Sequence, residues 1–219
     1  YAPEGAITAG GGGELPASIG ELLTTMVGCN NAHLELKDGA WTAIGDPTEA
    51  AMLAAGAKGG VDLGKLDGAS PRVAEFPFDS QRKLMTVIRR IGDDQVALVK
   101  GAPDVLLERC TQLATGTGVR AITAEDRTRI HAASADLASR ALRVLGAARR
   151  IIPRNTALPD SAAAAEQELV FFGLSGMQDP PRPEAKAAIA RCTAAGVRVV
   201  MITGDHPATA AGIGQKCAG

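Results

Sequence analysis

Two kinds of strand pattern follow each other along this sequence, and the change between them constrains the fold most strongly. Before residue 153, short strands are joined by tight turns such as Asp38-Gly39 in "HLELKDGAWTAIG". Asp-Gly between alternating stretches is a strong hairpin signal, which predicts antiparallel pairing. After residue 153, the strands "LVFFGLSGM" and "VRVVMIT" are continuous apolar runs that alternate with helices. Such runs are typical of parallel sheets that are covered on both faces.

This change divides the chain into two predicted domains. The earlier part is predicted to be an α+β domain, an antiparallel sheet flanked by helices. The later part is a βαβα unit, too short for a doubly wound sheet, so it is predicted to be an incomplete α/β domain. The predicted ranges are 1–16 for a flexible lead-in, 17–152 for the α+β domain, 153–168 for a connector, and 169–219 for the incomplete α/β domain.

The elements of the first domain follow from apolar spacing and from turn residues. Helices are predicted in "PASIGELLTTMVGCN", "DPTEAAMLAAGAKGG", "APDVLLERCTQL" and "TAEDRTRIHAASADLASRA". Strands besides the hairpin are predicted in "RVAEFPF", "KLMTVIRRIG", "QVALVKG" and "LRVLGAARRII".

Composition excludes several classes of function. The net charge of −1 over 219 residues gives no support for a nucleic-acid partner. No apolar run approaches the roughly 20 residues needed to span a bilayer, and the N-terminus lacks the basic and apolar regions of a signal peptide. The four cysteines are widely spaced and form no metal-ligand pattern, which favours reduced thiols.

Polar residues follow both apolar strands of the second domain. Asp179 and Arg182 lie in "QDPPR", and Thr203, Gly204 and Asp205 lie in "MITGDH". In a parallel sheet, ligands bind beyond the carboxyl ends of the strands, and these groups would suit a phosphate and Mg²⁺. The alternative is that the two aspartates merely cap the helices that follow.

"GDPTEAAML" has an economical structural explanation. Asp46 as N-cap, Pro47 at the first helical position and Glu49 at the third form a capping-box arrangement. Taken alone, the stretch therefore indicates the start of a helix rather than a binding site.

Two other residues have both a structural and a functional interpretation. Phe78 in "FPFDSQRKLM" precedes a polar turn with Arg82 and Lys83, so it is either packing or a platform on which a base stacks. Lys100 in "VKGAP", before Gly101, is either a solvated lysine or one that faces an anion.

The order of these motifs identifies a family. The segments "GDPTEAAML", "FPFDSQRKLM", "VKGAP", "ALRVLGAA", "QDPPRPE" and "VMITGDHPATA" follow each other at these intervals. In this order they resemble P-type cation-transporting ATPases, above all the calcium-pump-like branch and its bacterial relatives. The resemblance covers the chain from about residue 29 to the C-terminus.

The resemblance implies a nucleotide-binding domain followed by part of a haloacid-dehalogenase-like phosphorylation domain. It implies that Phe78 stacks on adenine, that Glu49 lies near the adenine amino group, and that Arg143 meets the phosphates. The residues it implies for ATP binding are Thr48, Glu49, Phe78, Lys83, Lys100, Gly101, Arg143 and Leu145. Those it implies around the transferred phosphoryl group and Mg²⁺ are Asp179, Arg182, Thr203, Gly204 and Asp205.

The chain departs from the family pattern in ways that bear on activity. Ser80 stands where the calcium pump has an arginine two residues after the stacking phenylalanine. The motif "DKTGTLT", whose aspartate accepts the phosphoryl group, and the motif "TGDGVND" do not occur in the 219 residues, so no metal site is complete. The expectation is a piece that binds ATP without hydrolysing it.

The resemblance also implies a setting for this piece. Its partners would be adenine nucleotide and the rest of the same polypeptide, without direct membrane contact, as a cytoplasmic domain of an integral plasma-membrane protein. Two alternatives stay open: a self-contained phosphatase of the haloacid-dehalogenase type and a nucleotide-sensing module.

Overall fold

The computed structural model describes residues 2–10, 15–178, 183–200 and 202. The chain divides into two compact units, Tyr1–Arg127 with Leu145–Leu174, and Thr128–Val144 with Ser175–Gly219. The described helices are α1 Ala17–Gly28, α2 Pro47–Lys58, α3 Leu63–Ala69, α4 Pro103–Glu108, α5 Ala124–Ser139, α6 Ala162–Ala165 and α7 Pro183–Ala194. The described strands are β1 His33–Lys37, β2 Ala40–Ile44, β3 Arg72–Asp79, β4 Leu84–Ile91, β5 Asp94–Gly101, β6 Cys110–Thr115, β7 Gly118–Ala121, β8 Arg143–Ile152 and β9 Leu169–Met177.

The hairpin β1–β2 forms where the sequence predicts it. The two central turn residues, Asp38 and Gly39, have φ angles of 51° and 77°. Positive φ at both positions is the geometry of the type I′ turn that Asp-Gly favours. The prediction of an antiparallel hairpin at this place is confirmed.

A seven-stranded sheet of order β3-β4-β5-β8-β9-β6-β7 forms the core of the fold. β3, β4, β5 and β8 pair antiparallel in succession, and β6 pairs antiparallel with β7. β9, the first apolar strand of the predicted second domain, lies within this sheet and pairs parallel with β6. The predicted α+β class, with a mainly antiparallel sheet and flanking helices, is confirmed.

The sheet is buried on both faces at β4 and β5. Successive side chains of a strand point to opposite faces. Met85, Val87 and Leu98 pack with Cys29, which follows α1, and we call this the α1 face. Ile88, Ala97, Ile152 and Ala165 pack together on the other side, the α6 face.

An ion pair holds α1 on its face of the sheet. Arg149 of β8 lies opposite Leu98 in the register, and its guanidinium pairs with Glu21 of α1. The guanidinium carbon also lies 4.4 Å from the ring centre of Phe172. Burial lowers the pKa of Arg149 to about 10.

Two predicted elements differ from the structure. The helix predicted over 102–113 ends at Glu108, because Cys110 and Leu113 pair with β9, and this long-range pairing overrides local helical spacing. Of the strand predicted from Val197, residues 197–200 lie outside any helix or strand, and Ile202 is 94% exposed. A strand needs a hydrogen-bonded neighbour, and the described part of the chain places none beside them.

The described helices also bear on the membrane question. None of them, within residues 2–10, 15–178 and 183–200, is long and apolar enough to cross a membrane. The helix α7 confirms the first helix of the predicted βαβα unit, in "PEAKAAIARCTAAG". Met201 of the predicted strand "VRVVMIT" and the second helix of the predicted βαβα unit, from His206, lie outside the described residues.

Candidate functional site

Four strand ends lie side by side at one end of the sheet. Asp79 of β3 pairs with Leu84 of β4, Leu84 pairs with Gly101 of β5, and Gly101 pairs with Gly146 of β8. Residues next to these positions therefore lie close together although they are far apart in sequence. We call the predicted residues found here the sheet-end cluster: Phe78, Lys83, Lys100, Gly101 and Leu145.

A β-bulge in β3 determines the direction of Phe78. Phe76 and Asp79 are three residues apart, yet they pair with Thr86 and Leu84, which are only two apart. Because of the extra residue, Phe76 and Asp79 both lie on the α6 face, and the alternation places Phe78 on the α1 face. The ring is 62% exposed, so it is available to a ligand.

Lys100 and Glu49 form a buried ion pair on the same face. Lys100 pairs with Met85 in the register, which places its side chain on the α1 face, where it is 5% exposed. Its Nζ donates a hydrogen bond to Oε1 of Glu49. The backbone N–H of Asn31 donates to Oε2 at 2.9 Å. Both oxygens of this carboxylate are thereby held in a fixed orientation.

The start of α2 combines the predicted cap with this ion pair. Asp46 accepts hydrogen bonds from the backbone N–H groups of Thr48 and Glu49 at 2.8 and 3.1 Å, so the predicted N-cap is confirmed. The Glu49 side chain, expected to complete the capping box, turns to Lys100 and Asn31 instead. Thr48 lies half-buried in the same turn.

A close approach of two strands explains why a glycine follows Lys100. A Cβ atom on Gly101 would lie 2.2 Å from the carbonyl oxygen of Lys83, which no side chain tolerates. That carbonyl accepts a hydrogen bond from the N–H of Ala102 at 3.0 Å. Lys83 is exposed, with a φ of 55°, so its ammonium group is open to solvent.

A buried thiol lies beneath the ion pair. Cys29 is fully buried, and its Sγ donates to the carbonyl oxygen of Met85 at 3.4 Å. Burial raises the pKa of this thiol to about 11, with Lys100 opposing the shift and Glu49 adding to it. The thiol is therefore neutral near pH 7, and the sequence pattern gave no signal that it lies next to the cluster.

Arg82, the other cation of the motif "DSQRK", has a structural role. Its guanidinium pairs with Glu166 and donates to the carbonyl oxygen of Pro77 at 2.6 Å. Thr86 donates its hydroxyl to the same Glu166 oxygen at 2.6 Å. Thr86 points to the α6 face, so this second ion pair lies across the sheet from Lys100 and Glu49.

The remaining predicted site residues differ in where they lie. Arg143 is the exposed first residue of β8 and belongs to the second compact unit. Leu145, a member of the sheet-end cluster, is half-buried in the first unit. In the described residues, no group of three or more His, Cys, Asp or Glu side chains could hold a metal ion. Five predicted phosphoryl and Mg²⁺ residues lie outside the described residues: Asp179, Arg182, Thr203, Gly204 and Asp205.

A cavity of about 630 Å³ lies elsewhere in the first unit. It lies between the β1–β2 hairpin and the helices α2 and α3, and Leu34, Trp41 and Leu53 are among its walls. The sheet-end cluster takes no part in this lining, so the cavity and the candidate site are separate features.

Comparison with known proteins gives consistent relatives. Residues 18–184 match the family model described as P-type ATPase, cytoplasmic domain N. The chain is 42% identical over 188 residues to a calcium-transporting ATPase of Bacillus subtilis, which covers 85% of this chain and 21% of that protein. It is 39% identical over 203 residues to the cation-transporting ATPase pma1 of Synechocystis, which covers 92% of this chain and 22% of that protein.

A third relative agrees with these two. The probable cation-transporting ATPase F of Mycobacterium tuberculosis is 38% identical over 192 residues, covering 86% of this chain and 21% of that protein. The chain thus spans about a fifth of the length of the curated relatives it matches. The family match covers most of the chain and agrees with the α+β fold and with the six ordered motifs. The chain belongs to the P-type ATPase family, as its cytoplasmic domain N.

Proposed function

We propose that this chain is the ATP-binding domain of an ATP-driven cation pump. The observation that carries the proposal is the exposed ring of Phe78 beside the Lys100–Glu49 pair at one end of the sheet. A base bound here meets an aromatic face on which it can stack and a carboxylate that accepts a hydrogen bond from an amino group such as that of adenine. The relatives named above are calcium- and cation-transporting ATPases.

Each member of the site has a proposed task. Phe78 stacks on adenine, and Glu49, with Thr48 beside it, receives the adenine amino group. Lys83 contributes an exposed ammonium group toward the phosphates, and Arg143 meets the phosphates from the start of β8. Lys100, Gly101 and Leu145 complete the wall of the pocket.

The rest of the proposed reaction needs residues beyond this site. Asp179, Arg182, Thr203, Gly204 and Asp205 are proposed to surround the transferred phosphoryl group, with Mg²⁺ neutralising the phosphate charge. The aspartate that accepts the phosphoryl group would belong to the remainder of the polypeptide. We therefore expect this chain to bind ATP without hydrolysing it.

The proposed setting follows from the same family membership. The proposed nucleotide-binding domain comprises residues 17–152 together with β9, which belongs to the same sheet, and the proposed part of the phosphorylation domain lies in the remainder of 169–219. The intact protein would be an integral plasma-membrane protein that carries this domain on its cytoplasmic side and couples ATP hydrolysis to cation transport.

Titration calorimetry of ATP into the chain and into a Phe78→Ala variant tests the proposal. Base stacking on an aromatic ring contributes about 1–3 kcal/mol in nucleic-acid systems, so the variant should bind ATP about 5- to 150-fold more weakly. Since the ring is 62% exposed, the fold should be unaffected. Ile151→Ala, which truncates another exposed apolar side chain (66%), is the matched control and should bind as the parent does.

Two results would contradict the proposal. If Phe78→Ala binds ATP as tightly as the parent chain, the ring is not the platform for the base. If the purified chain becomes phosphorylated on incubation with γ-labelled ATP, the expectation of binding without transfer is wrong.

A further inference from the structure

Two asparagines join α1 to β1 and contact the carboxylate end of the site. Asn30 is fully buried, and its Nδ2 donates to the backbone oxygen of Glu49 at 2.9 Å. Asn31 donates its backbone N–H to Oε2 of Glu49 at 2.9 Å. The position of the Glu49 carboxylate therefore depends on where this short loop is held.

A second β-bulge in β3 brings Arg72 and Glu75 to the face on which this loop lies. Arg72 pairs with Arg89 and Ala74 with Ile88, so an extra residue lies between Arg72 and Ala74. Glu75, three residues after Arg72, consequently lies on the same α1 face as Arg72. Without the bulge the two side chains would point to opposite faces.

Arg72 and Glu75 form hydrogen bonds with both ends of the Asn31 side-chain amide. The guanidinium of Arg72 donates through Nη1 to Oδ1 of Asn31 at 2.6 Å and through Nη2 to the backbone oxygen of Asn30. Nδ2 of Asn31 donates to Oε1 of Glu75 at 2.6 Å. Arg72 and Glu75 are themselves 3.6 Å apart. We call Arg72, Asn31 and Glu75 the asparagine bridge.

We propose that the asparagine bridge selects adenine over bases that carry an oxygen at position 6, by fixing the Glu49 carboxylate. This inference rests on the proposed function. Adenine presents an amino group at that position, which donates to a carboxylate, whereas hypoxanthine presents a carbonyl oxygen, which the carboxylate repels. In this proposal the side chains of the bridge act through Glu49 and not on the base itself, so they are positioning residues.

The freedom of the Glu49 carboxylate to rotate determines how strongly it discriminates between the two bases. A carboxylate that is free to turn away relieves the repulsion with a carbonyl oxygen and loses part of its hydrogen bond to an amine. A carboxylate held by Lys100 and by the fixed N–H of Asn31 does neither. Unpaired polar groups in a bound complex are costly, which is how a fixed group discriminates between isosteric bases.

The test is calorimetry of ATP and inosine triphosphate with the parent chain, Asn31→Ala and the control Asn155→Ala. Asn31 is exposed, and the alanine variant keeps the backbone N–H that contacts Glu49, so only the anchoring of the loop is removed. We expect the preference for ATP to fall about three- to tenfold, mainly through weaker ATP binding, because a hydrogen bond is worth about 0.5–1.5 kcal/mol. Asn155, an exposed loop residue, should leave the preference unchanged.

A second variant keeps the charge but not the geometry. Arg72→Lys retains the cation, yet one ammonium group does not reproduce the two-pronged contact with Asn31 and Asn30. The preference for ATP should fall in the same direction as in Asn31→Ala.

The outcomes separate this inference from the function on which it rests. If the parent chain binds ATP and the preference is unchanged in Asn31→Ala, the bridge does not position Glu49, while the proposed function stands. If both nucleotides weaken equally, the bridge has a purely structural role and the inference is wrong. If the parent chain binds neither nucleotide, both proposals fail.

Discussion

Two ion pairs lie on opposite faces of the sheet, Lys100–Glu49 on the α1 face and Arg82–Glu166 on the α6 face. Each joins a cation to a glutamate, and they differ in how deeply the carboxylate is buried. On the α1 face, Glu49 is 13% exposed at its side chain, and both carboxylate oxygens have protein donors. On the α6 face, the side chain of Glu166 is completely buried, and Oε1 accepts from both Arg82 and Thr86. Within the described part of the chain, Oε2 of Glu166 has no hydrogen-bond partner.

The two pairs differ in the burial of the carboxylate. The Glu49 carboxylate keeps a small exposed fraction and lies on the same face as the exposed ring of Phe78. The Glu166 carboxylate is closed to solvent, and its pair with Arg82 connects β4 and the turn before it to the segment after α6. The proposed function assigns the Glu49 carboxylate to ligand recognition, whereas the buried Glu166 carboxylate stabilises the fold.

Breaking the Arg82–Glu166 pair should produce the largest loss in the free energy of unfolding. Glu166→Ala leaves Arg82, 17% exposed at its side chain, without its carboxylate and Thr86 without its acceptor. Removing one partner of a buried ion pair typically costs about 3–5 kcal/mol in the free energy of unfolding. Urea denaturation followed by circular dichroism measures this loss.

The neighbouring Glu168 provides the matched control. Its side chain is 71% exposed and lies 3.3 Å from Arg150, a pair that solvent screens. Glu168→Ala should therefore cost less than about 1 kcal/mol. Equal losses in the two variants would show that burial does not distinguish the pairs.

Sequence reasoning succeeded where the cause of a structure is local. The Asp38-Gly39 turn, the Asp46 cap and the strands β3, β4, β5 and β8 were all predicted from neighbouring residues, and all are confirmed. It failed at β6, because the pairing of Cys110 with β9 joins segments that are far apart in the chain.

The candidate site shows the same limit. The motif order indicated Phe78, Glu49 and Lys100, but nothing in the spacing showed that Glu49 and Lys100 pair with each other. The bulges in β3 were equally hidden, although Pro77 in an edge strand is a hint of an irregular ladder. Arg72 and Glu166 went unnoticed because their partners lie 41 and 84 residues away in sequence.

The pH dependence of the free energy of unfolding tests how dry the interior of the α1 face is, because the Cys29 thiol is buried there. The pKa of Cys29 is raised from 9.0 to about 11 by burial. Between these values the folded chain keeps a proton that the unfolded chain releases, so the stability present below pH 9 is lost as the pH rises toward 11. The contribution of a two-unit shift is about 2–3 kcal/mol.

Variants that lack the thiol isolate this contribution. Cys29→Ala and Cys29→Ser should both lose less stability than the parent chain between pH 9 and 11, as measured by urea denaturation at each pH. If the pH dependence is the same in all three proteins, water reaches the thiol, and the interior beneath the Lys100–Glu49 pair is not dry.

The smallest expected effect concerns how Lys100 contributes to nucleotide affinity. Its ammonium group is committed to Glu49 and almost fully buried, so it should act at the base end by orienting that carboxylate. Lys100→Met should then weaken adenosine and ATP equally, by about three- to tenfold, as expected for one hydrogen bond. Lys83→Met, which removes an exposed cation from the same cluster, should weaken ATP binding more than adenosine binding.

A larger loss for ATP than for adenosine in Lys100→Met would place that lysine at the phosphates instead. The α1 face would then hold an ion pair that opens when nucleotide binds, whereas the closed pair at Glu166 would stay as it is.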